Sequence, residues 1–400
     1  MLEQAFSEVK VLDLTWYIAG PYCTKLLADY GADVLKIERP GRGDPGRSIG
    51  PFLGDDPDPE KSGLFLYLNT NKKGVTLNLK TEAGVKLFKE LASEADVLVE
   101  SFSPGTMTRL GLDYEALEKV NPRLIMTSIS NFGQSGPYRD FKATHLTQCA
   151  LAGWSYQVGE GNREPLQAAG WASHYVAGLF GAIGTAIALY YSMATGIGQH
   201  IDLSTAEAII PISTYCPTMY DYLKLVRRRR GNVIFVGYGF AARCKDGYLG
   251  ANAYTFQQWE QLLQWMGKPE LLEKFSTALG REYIRAHAEE ITEQLAPWFL
   301  DKYKDETFHA AQERRIPFAP IPTTEDLLQC PQLQAREWFA TAEHPRTGPI
   351  AYPGAPFKMG QTPWRIGRPA PLLGEHNDEV YCRLGYSKDD LVRMRERGII

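Results

Sequence analysis

The chain has 400 residues, of which 44% are hydrophobic, 12% aromatic and 22% charged, and its formal net charge is −4. A domain takes roughly 100 to 200 residues, so this length allows about two to four domains with a large core, and it excludes a small disulfide-stapled scaffold. The nearly balanced charge and ordinary apolar content also exclude a polyanion-binding protein and a disordered chain.

The six cysteines lie far apart and form no C-x-x-C pair, which favours reduced thiols in the cytoplasm over a zinc site or a disulfide framework. Residues 1–5 contain no basic region followed by an apolar stretch, so we expect no secretory signal. The longest uncharged stretch, 175–199, has about the length of a membrane span, but its glycines dilute it. We therefore expect a small-residue helix packed against its neighbours, and no membrane span.

Short β-branched runs alternate with helical periodicity from residue 10 to residue 130, and this pattern is typical of a parallel sheet covered by helices. Thr81 is the expected N-cap of one of the helices. The predicted strands are 11–15, 33–38, 75–79, 96–100 and 124–130, and the first predicted helix is 22–30.

A central helix is predicted over 175–194, ended by the glycines of Thr195-Gly-Ile-Gly. The basic run 227–230 is interpreted as a solvated face. The glycine- and aromatic-rich stretch 231–240 then begins a smaller domain, which helical segments over 256–312 fill. The tail 339–373 is so rich in Pro and Gly that we expect it to run along the surface of another domain or subunit.

The loop 16–21 follows the first strand, where a doubly wound fold presents backbone N–H groups to a nucleotide. It lacks the G-x-G-x-x-G fingerprint, so NAD binding is not expected, although Glu38 ends the second strand about where a dinucleotide fold holds a ribose. His145 and His174 lie in apolar surroundings and read as hydrogen-bonded core residues or as acid–base groups. Several cations at strand ends and in loops suit a phosphorylated nucleotide or form an ordinary solvated surface: Arg39, Arg42, Arg47, Lys72, Lys73 and Arg109.

From residue 11 to the C-terminus, blocks of the sequence resemble the class III CoA-transferases of the CaiB/BaiF type, in family order. The blocks include 11–15 (V-L-D-L-T), 26–41, 71–80, 96–112, 132–138 (F-G-Q-S-G-P-Y), 195–204 and 371–377 (P-L-L-G-E-H-N). The resemblance implies an α/β fold with a Rossmann-like parallel sheet in the large domain and a smaller α+β domain. The large domain would be built from 1–225 and 321–400, the small one from 226–320, and two subunits would form an interlocked-ring dimer.

The resemblance also implies that CoA or acyl-CoA is a substrate and that no cofactor or metal is permanently bound. One departure concerns the CoA-binding loop, where the usual Asn before Phe102 is Ser101. By motif position the CoA-binding residues are Tyr17, Ile18, Ala19, Arg39, Lys72, Phe102 and Arg109.

A larger departure concerns the chemistry that the resemblance implies. Transferases of this family use an aspartate in a D-Y-x-A-G segment to attack the acyl-CoA thioester, which gives an acyl anhydride and then an aspartyl-CoA thioester. Here that segment is Ser173-His-Tyr-Val-Ala-Gly, so His174 takes the place of the aspartate, and His145 replaces the aspartate of a second family motif. Imidazole cannot form the same intermediates. The nearest carboxylates in sequence are Asp140, Glu160 and Glu164.

Our first hypothesis is a subunit of a heteromeric, cytoplasmic CoA-transferase, a heterodimer or heterotetramer whose paralogous partner supplies the aspartate. Succinyl-CoA is a plausible donor, and an aromatic acid or a substituted succinate such as benzylsuccinate is a plausible acceptor. The first alternative is a self-sufficient homodimeric transferase that uses a displaced carboxylate. The others are a relative of the 2-methylacyl-CoA racemases, which move a proton with a His and an Asp, and a CoA-binding protein without activity. No nucleic-acid partner is expected.

Overall fold

The computed structural model describes residues 4–213, 215–226, 228–229, 231, 238–275 and 287–400. The chain divides into two compact units. The first unit comprises Met1–Ser155, Gln167–Lys224 and Ala335–Ile400, and the second comprises Tyr156–Leu166 and Leu225–Gln334. Both ends of the chain therefore belong to the same unit.

A six-stranded parallel sheet forms the centre of the first unit, as the alternating pattern predicts. The order of its strands is β3-β2-β1-β4-β5-β6, so the sheet grows in opposite directions from β1 and β4. This is the order of a Rossmann-type doubly wound sheet. The strands are β1 Lys10–Leu14, β2 Asp33–Glu38, β3 Lys72–Thr76, β4 Val97–Glu100, β5 Ile125–Ser130 and β6 Gln199–Ser204.

The two faces of this sheet are both buried, because side chains that alternate along the strands enter two separate clusters of apolar residues. Leu12 and Leu98 belong to one cluster, whereas Val11 and Val97 belong to the other. Thr81 caps its helix as predicted, since its Oγ1 accepts a hydrogen bond from the Gly84 N–H. The helices of this part are α1 Ala19–Ala28, α2 Gly63–Leu68, α3 Glu82–Ser93, α4 Thr106–Arg109, α5 Tyr114–Glu118, α6 His145–Leu151, α7 Ala172–Thr195, α8 Thr205–Ile209 and α9 Tyr215–Leu223.

The prediction for the third strand was wrong in position: it spans Lys72–Thr76 and not 75–79. A lysine is rarely buried in a strand without a partner, so the sequence reads as a loop there. Lys72 is completely buried, and its Nζ lies 3.0 Å from the Asp13 Oδ2. Burial acts to raise the pKa of Asp13, but the charges of Lys36 and Lys72 outweigh it and hold that pKa well below its usual range.

The long helix α7 confirms the small-residue interpretation. A Cβ atom at Gly178 would lie 2.5 Å from the Ala19 carbonyl oxygen, so glycine is what lets α7 approach α1 this closely. The helix ends at Gly196, whose φ of 75° is left-handed, as the sequence predicts. Its length and composition would suffice to cross a membrane, and 44% of its most apolar window is buried within the protein.

The second unit contains a three-stranded antiparallel sheet, ordered β7-β8-β9, and its own apolar core. Its strands are β7 Tyr238–Cys244, β8 Gly247–Ala253 and β9 Ala319–Ile321. Residues 232–237 of the predicted domain entry, and Arg227 and Arg230 of the basic run, lie outside the described residues. Its helices are α10 Phe256–Trp265, α11 Leu272–Phe275, α12 Ala288–Leu295, α13 Lys304–Glu313 and α14 Thr324–Leu328, and α15 Pro331–Ala335 leads back to the first unit.

The C-terminal part, 335–400, returns to the parallel sheet through a stretch rich in Pro and Gly. The Trp364 Nε1–H donates to Asp29 Oδ2 at 2.9 Å, and Asn377 accepts a hydrogen bond from the Thr76 N–H at 2.8 Å. The C-terminal part therefore makes hydrogen bonds with the end of α1 and with β3. Its elements are the antiparallel strands β10 Phe339–His344 and β11 Gly348–Pro353, followed by α16 Asn377–Arg383 and α17 Lys388–Glu396.

Candidate active site

A cavity of about 340 Å³ opens at the carboxyl ends of β1, β4 and β5. In an open parallel sheet, a crevice forms at the carboxyl ends of the two neighbouring strands from which the strand order runs in opposite directions. Ligands bind in this crevice. That point lies between β1 and β4 in this sheet. The residues that line the cavity are Trp16, Tyr17, Ile18, Ala19, Ser101, Phe102, Ser103, Pro104, Arg109, Ile129, Ser130, Asn131, Arg139, Asp140, Phe141, Lys142, His174 and Thr205.

The loop after β1 is held in an unusual conformation beside this cavity. Tyr17 has a φ of 65°, which is strained for an aromatic residue, and its N–H donates to Asp44 Oδ1 at 3.0 Å. The Trp16 N–H donates to the Ser101 Oγ at 2.9 Å. Ser101, which stands where the resembled family has Asn, therefore ties the loop after β1 to the loop after β4.

The cavity wall is electropositive. Three cationic side chains, Arg109, Arg139 and Lys142, face one carboxylate, Asp140, among the lining residues of the described chain. Helices α1 and α7 also begin beside it, and the N-terminal end of a helix carries partial positive charge. This arrangement suits an anionic ligand. Within the described residues, no group of three or more His, Cys, Asp or Glu side chains could hold a metal ion.

His174 lies on the first turn of α7 and lines the cavity. Burial and the neighbouring His145 lower the pKa of His174 to about 4. Its imidazole is therefore neutral at physiological pH, and it offers a ring nitrogen where the family aspartate offers a carboxylate oxygen.

His145 is buried away from the cavity wall and confirms its interpretation as a hydrogen-bonded core residue. Its Nε2 lies 3.0 Å from the Ala168 carbonyl oxygen and its Nδ1 lies 2.7 Å from the Ser173 Oγ. Ser173 continues this chain to Gln148, at 2.9 Å, and Gln148 continues it to the cavity residue Asn131, at 2.8 Å. The network fixes the start of α7, and with it the position of His174.

Six of the eight predicted site residues line this one cavity. They come from three places in the sequence, namely the loop after β1, the segment after β4 and the start of α7. Arg39 does not line it, but its guanidinium lies 3.9 Å from the ring centroid of Trp16, which does. The six are Tyr17, Ile18, Ala19, Phe102, Arg109 and His174.

Other polar residues that the sequence offered as ligands are internal. Lys72 is buried in its ion pair with Asp13, so it is not a free cation, and this corrects its predicted place among loop cations. Glu38 is not free to hold a ribose, because its Oε2 lies 2.7 Å from the buried Arg47 Nε. Arg47 also pairs with Glu60, at 2.6 Å. All of these charges are paired within the fold, so they are not free to bind a ligand.

The part of the cavity wall that follows β5 was not among the predicted site residues. Ser130, Asn131, Arg139 and Phe141 come from the strand end and the loop after it. The signal was present, because this segment follows the carboxyl end of a predicted strand and overlaps the block 132–138. Ser130 is buried, and its Oγ has no hydrogen-bond partner within the described chain.

The buried carboxylate of Glu100, at the end of β4, holds the loop that follows this strand. The Phe102 N–H donates to Glu100 Oε2 at 2.7 Å, so Glu100 fixes the loop that carries Ser101 and Phe102. Burial, with a smaller contribution from Asp202, raises the pKa of Glu100 to about 7, although the hydrogen bonds from Ser128 and Phe102 oppose it. Glu100 therefore titrates near neutral pH.

The comparisons with known proteins agree with this geometry. The family model described as CoA-transferase family III matches residues 6–377. The chain belongs to CoA-transferase family III. The match includes the whole parallel sheet and every residue of the cavity, so the site described above is that of a family III chain.

Curated relatives match this family III chain over nearly its full length. It is 34% identical to the succinyl-CoA:(R)-benzylsuccinate CoA-transferase subunit BbsE of Thauera aromatica, over 98% of each chain. It is also 34% identical to the succinyl-CoA–L-malate CoA-transferase alpha subunit of Chloroflexus aurantiacus, over 98% of this chain and 92% of the relative. A CaiB/BaiF family protein from Brucella suis has a similar solved structure, with a TM-score of 0.84, 26% identity, and coverage of 96% of this chain and 100% of that one.

Proposed function

We propose that this chain is a cytoplasmic CoA-transferase subunit that acts with a paralogous partner, which supplies the nucleophilic aspartate. The reaction is the transfer of CoA from an acyl-CoA such as succinyl-CoA to another carboxylic acid. The observation that carries the proposal is His174, a neutral imidazole in the cavity wall at the position of the family aspartate.

The chemistry of His174 supports a requirement for a partner. An aspartate oxygen that attacks a thioester gives an anhydride, and the released CoA thiolate then attacks that anhydride. The second attack leaves CoA on the aspartate and frees the donor acid. An imidazole nitrogen would instead give an acyl-imidazole, and CoA attack on it regenerates the original acyl-CoA. This return of CoA to the donor acyl group transfers no CoA to an acceptor acid.

An exposed apolar face supports the presence of a second subunit. Ile187 is 66% exposed, Tyr190 80% and Met193 77%, all on α7. Apolar side chains grouped in this way are typical of a protein–protein interface. Matched relatives are also named as subunits of succinyl-CoA-dependent transferases. We propose that the partner covers this face in an interlocked dimer.

Aromatic side chains support an acceptor acid with an apolar substituent. Trp16, Tyr17, Phe102 and Phe141 all line the cavity. Aromatic walls favour flat apolar groups by burying their surface. We therefore propose an aromatic acid or a substituted succinate as acceptor.

A self-sufficient transferase is the second candidate, because Asp140 shares the cavity with His174. A racemase reaction receives less support. It would need a second acid–base group, and both ring nitrogens of His145 are already engaged in hydrogen bonds.

To test this proposal, the purified chain is incubated with succinyl-CoA and a panel of carboxylic acids that includes phenyl-substituted succinates. Each incubation is done with and without a paralogue that has an intact D-Y-x-A-G segment. New CoA esters are followed by mass spectrometry. We expect no turnover by the chain alone and turnover with the paralogue. Turnover by the lone chain that Asp140→Asn abolishes would replace the proposal with the self-sufficient candidate. Deuterium uptake from solvent at the α carbon of a branched acyl-CoA would instead indicate a racemase.

A further inference from the structure

Two guanidinium groups converge on one glycine at the rim of the cavity. A Cβ atom on Gly105 would lie 3.3 Å from the Arg139 Nη2 and 3.5 Å from the Arg109 Nη1. Gly105 has a φ of 75°, which a residue with a side chain rarely adopts. The absence of a side chain therefore leaves the space between the two guanidinium groups open.

The charge on Arg139 is incompletely satisfied. Its Nε is buried and makes no hydrogen bond within the described chain. The Asp140 Oδ1 is 3.9 Å away, which is too far for a hydrogen bond. Arg109 donates to the Thr106 Oγ1 at 2.8 Å, which is a neutral acceptor. Two like charges held this close repel each other, unless an anion lies between them.

We infer that Arg139 and Arg109 together bind a phosphate group of the acyl-CoA through the open space at Gly105. Paired guanidinium forks match the geometry of phosphate oxygens, which accept several N–H groups at once. Arg109 is exposed and Arg139 half-buried, so a phosphate bound there stays partly solvated. The inference rests on the proposed function, because it takes CoA as the ligand, and it adds a residue that no family motif in the sequence indicated.

The test measures binding of CoA and of pantetheine, which lacks the phosphates, by calorimetry with the purified full-length chain. Arg139→Ala is expected to weaken CoA binding about ten- to hundredfold, the effect of losing a charged hydrogen-bond donor. Arg139→Lys should restore part of the affinity, since it keeps the charge. Pantetheine binding should not change. Arg397→Ala removes the same charge from an exposed position at the end of α17, and is expected to leave both affinities unchanged.

Other results would overturn the inference in distinguishable ways. Unchanged CoA affinity in Arg139→Ala would refute the role of Arg139 and leave the proposed transferase function intact. A loss seen with succinyl-CoA and succinyl-pantetheine, but not with free CoA, would assign Arg139 to the acyl carboxylate instead. No CoA binding by the wild-type chain, alone or with its paralogue, would refute both the inference and the proposed function.

Discussion

At the scale of single residues, the proposed function depends on His174, which lines the cavity where the family has its aspartate. If the partner supplies the nucleophile, His174 shapes the cavity without reacting. His174→Asp should therefore change the activity of the assembled enzyme only slightly, as measured by the rate of CoA-ester formation with the intact partner. A loss of about two orders of magnitude or more, the usual size of an acid–base contribution, would give His174 a direct chemical role.

A substitution of Lys72 distinguishes a structural role of this buried lysine from a role in CoA binding. Its ion pair with Asp13 predicts the structural role. Lys72→Met leaves the carboxylate of Asp13 buried without its nearest ion-pair partner, which typically costs about 3 to 5 kcal/mol of stability. We expect a strongly lowered melting temperature. Its neighbour Lys73 is the control, because its partly exposed pair with Glu379 contributes at most about 1 kcal/mol. A Lys72→Met protein that melts normally but binds CoA weakly would show that Lys72 is a ligand.

The raised pKa of Glu100 predicts that the free energy of unfolding depends on pH. Its folded pKa of about 7 lies above its usual value of 4.5, so the folded state holds a proton that the unfolded state releases in this range. Stability should fall as the pH rises from 4.5 to 7 and then stay level, by up to about 3 kcal/mol. Glu100→Gln cannot ionise but can still accept the hydrogen bond from Phe102. Its melting temperature relative to wild type should rise between pH 5 and pH 8, and a constant difference would contradict the shift.

At the scale of elements, the contact between α1 and α7 positions one wall of the cavity, because Ala19 and His174 lie at the starts of these two helices. Gly178→Ala places a methyl group against the Ala19 carbonyl and should cost about 1 to 3 kcal/mol, seen as a lower melting temperature. Gly184→Ala is the matched control on the same helix. Its Cβ would lie 3.7 Å from Ile201, an ordinary contact, and alanine favours a helix, so stability should stay equal or rise. Equal effects of the two changes would contradict the close approach.

At the scale of the whole molecule, the exposed apolar face of α7 is the surface that we propose a second subunit covers. Ile187→Glu puts a charge into the proposed interface and should shift the protein to a smaller species in light scattering after gel filtration, with or without the paralogue. Val392→Glu on α17 is the control, since Val392 is 49% exposed outside this face. An unchanged mass for Ile187→Glu would show that this face is not the interface.

The family, the parallel sheet, the helix α7 and a common location for most of the predicted site residues could be predicted from the amino-acid sequence. Six of the eight line one cavity, and their role in binding CoA stays a prediction. The sheet and α7 depend on local patterns, such as alternation, capping and glycine spacing, which are legible without tertiary contacts. The family and the site residues came instead from the resemblance of sequence motifs, which lie in the loop after β1, the segment after β4 and the start of α7.

Which charged side chains are internal and which face the cavity follows from contacts between distant parts of the chain. Lys72 and Arg109 look alike in sequence, but a partner distant along the chain, Asp13, draws Lys72 into the core. The same holds for Arg139, which lies near Arg109 because the segments after the neighbouring strands β4 and β5 meet at one edge of the sheet. Ion pairs and convergent cations depend on distances across the fold, and neither residue type nor spacing specifies those distances.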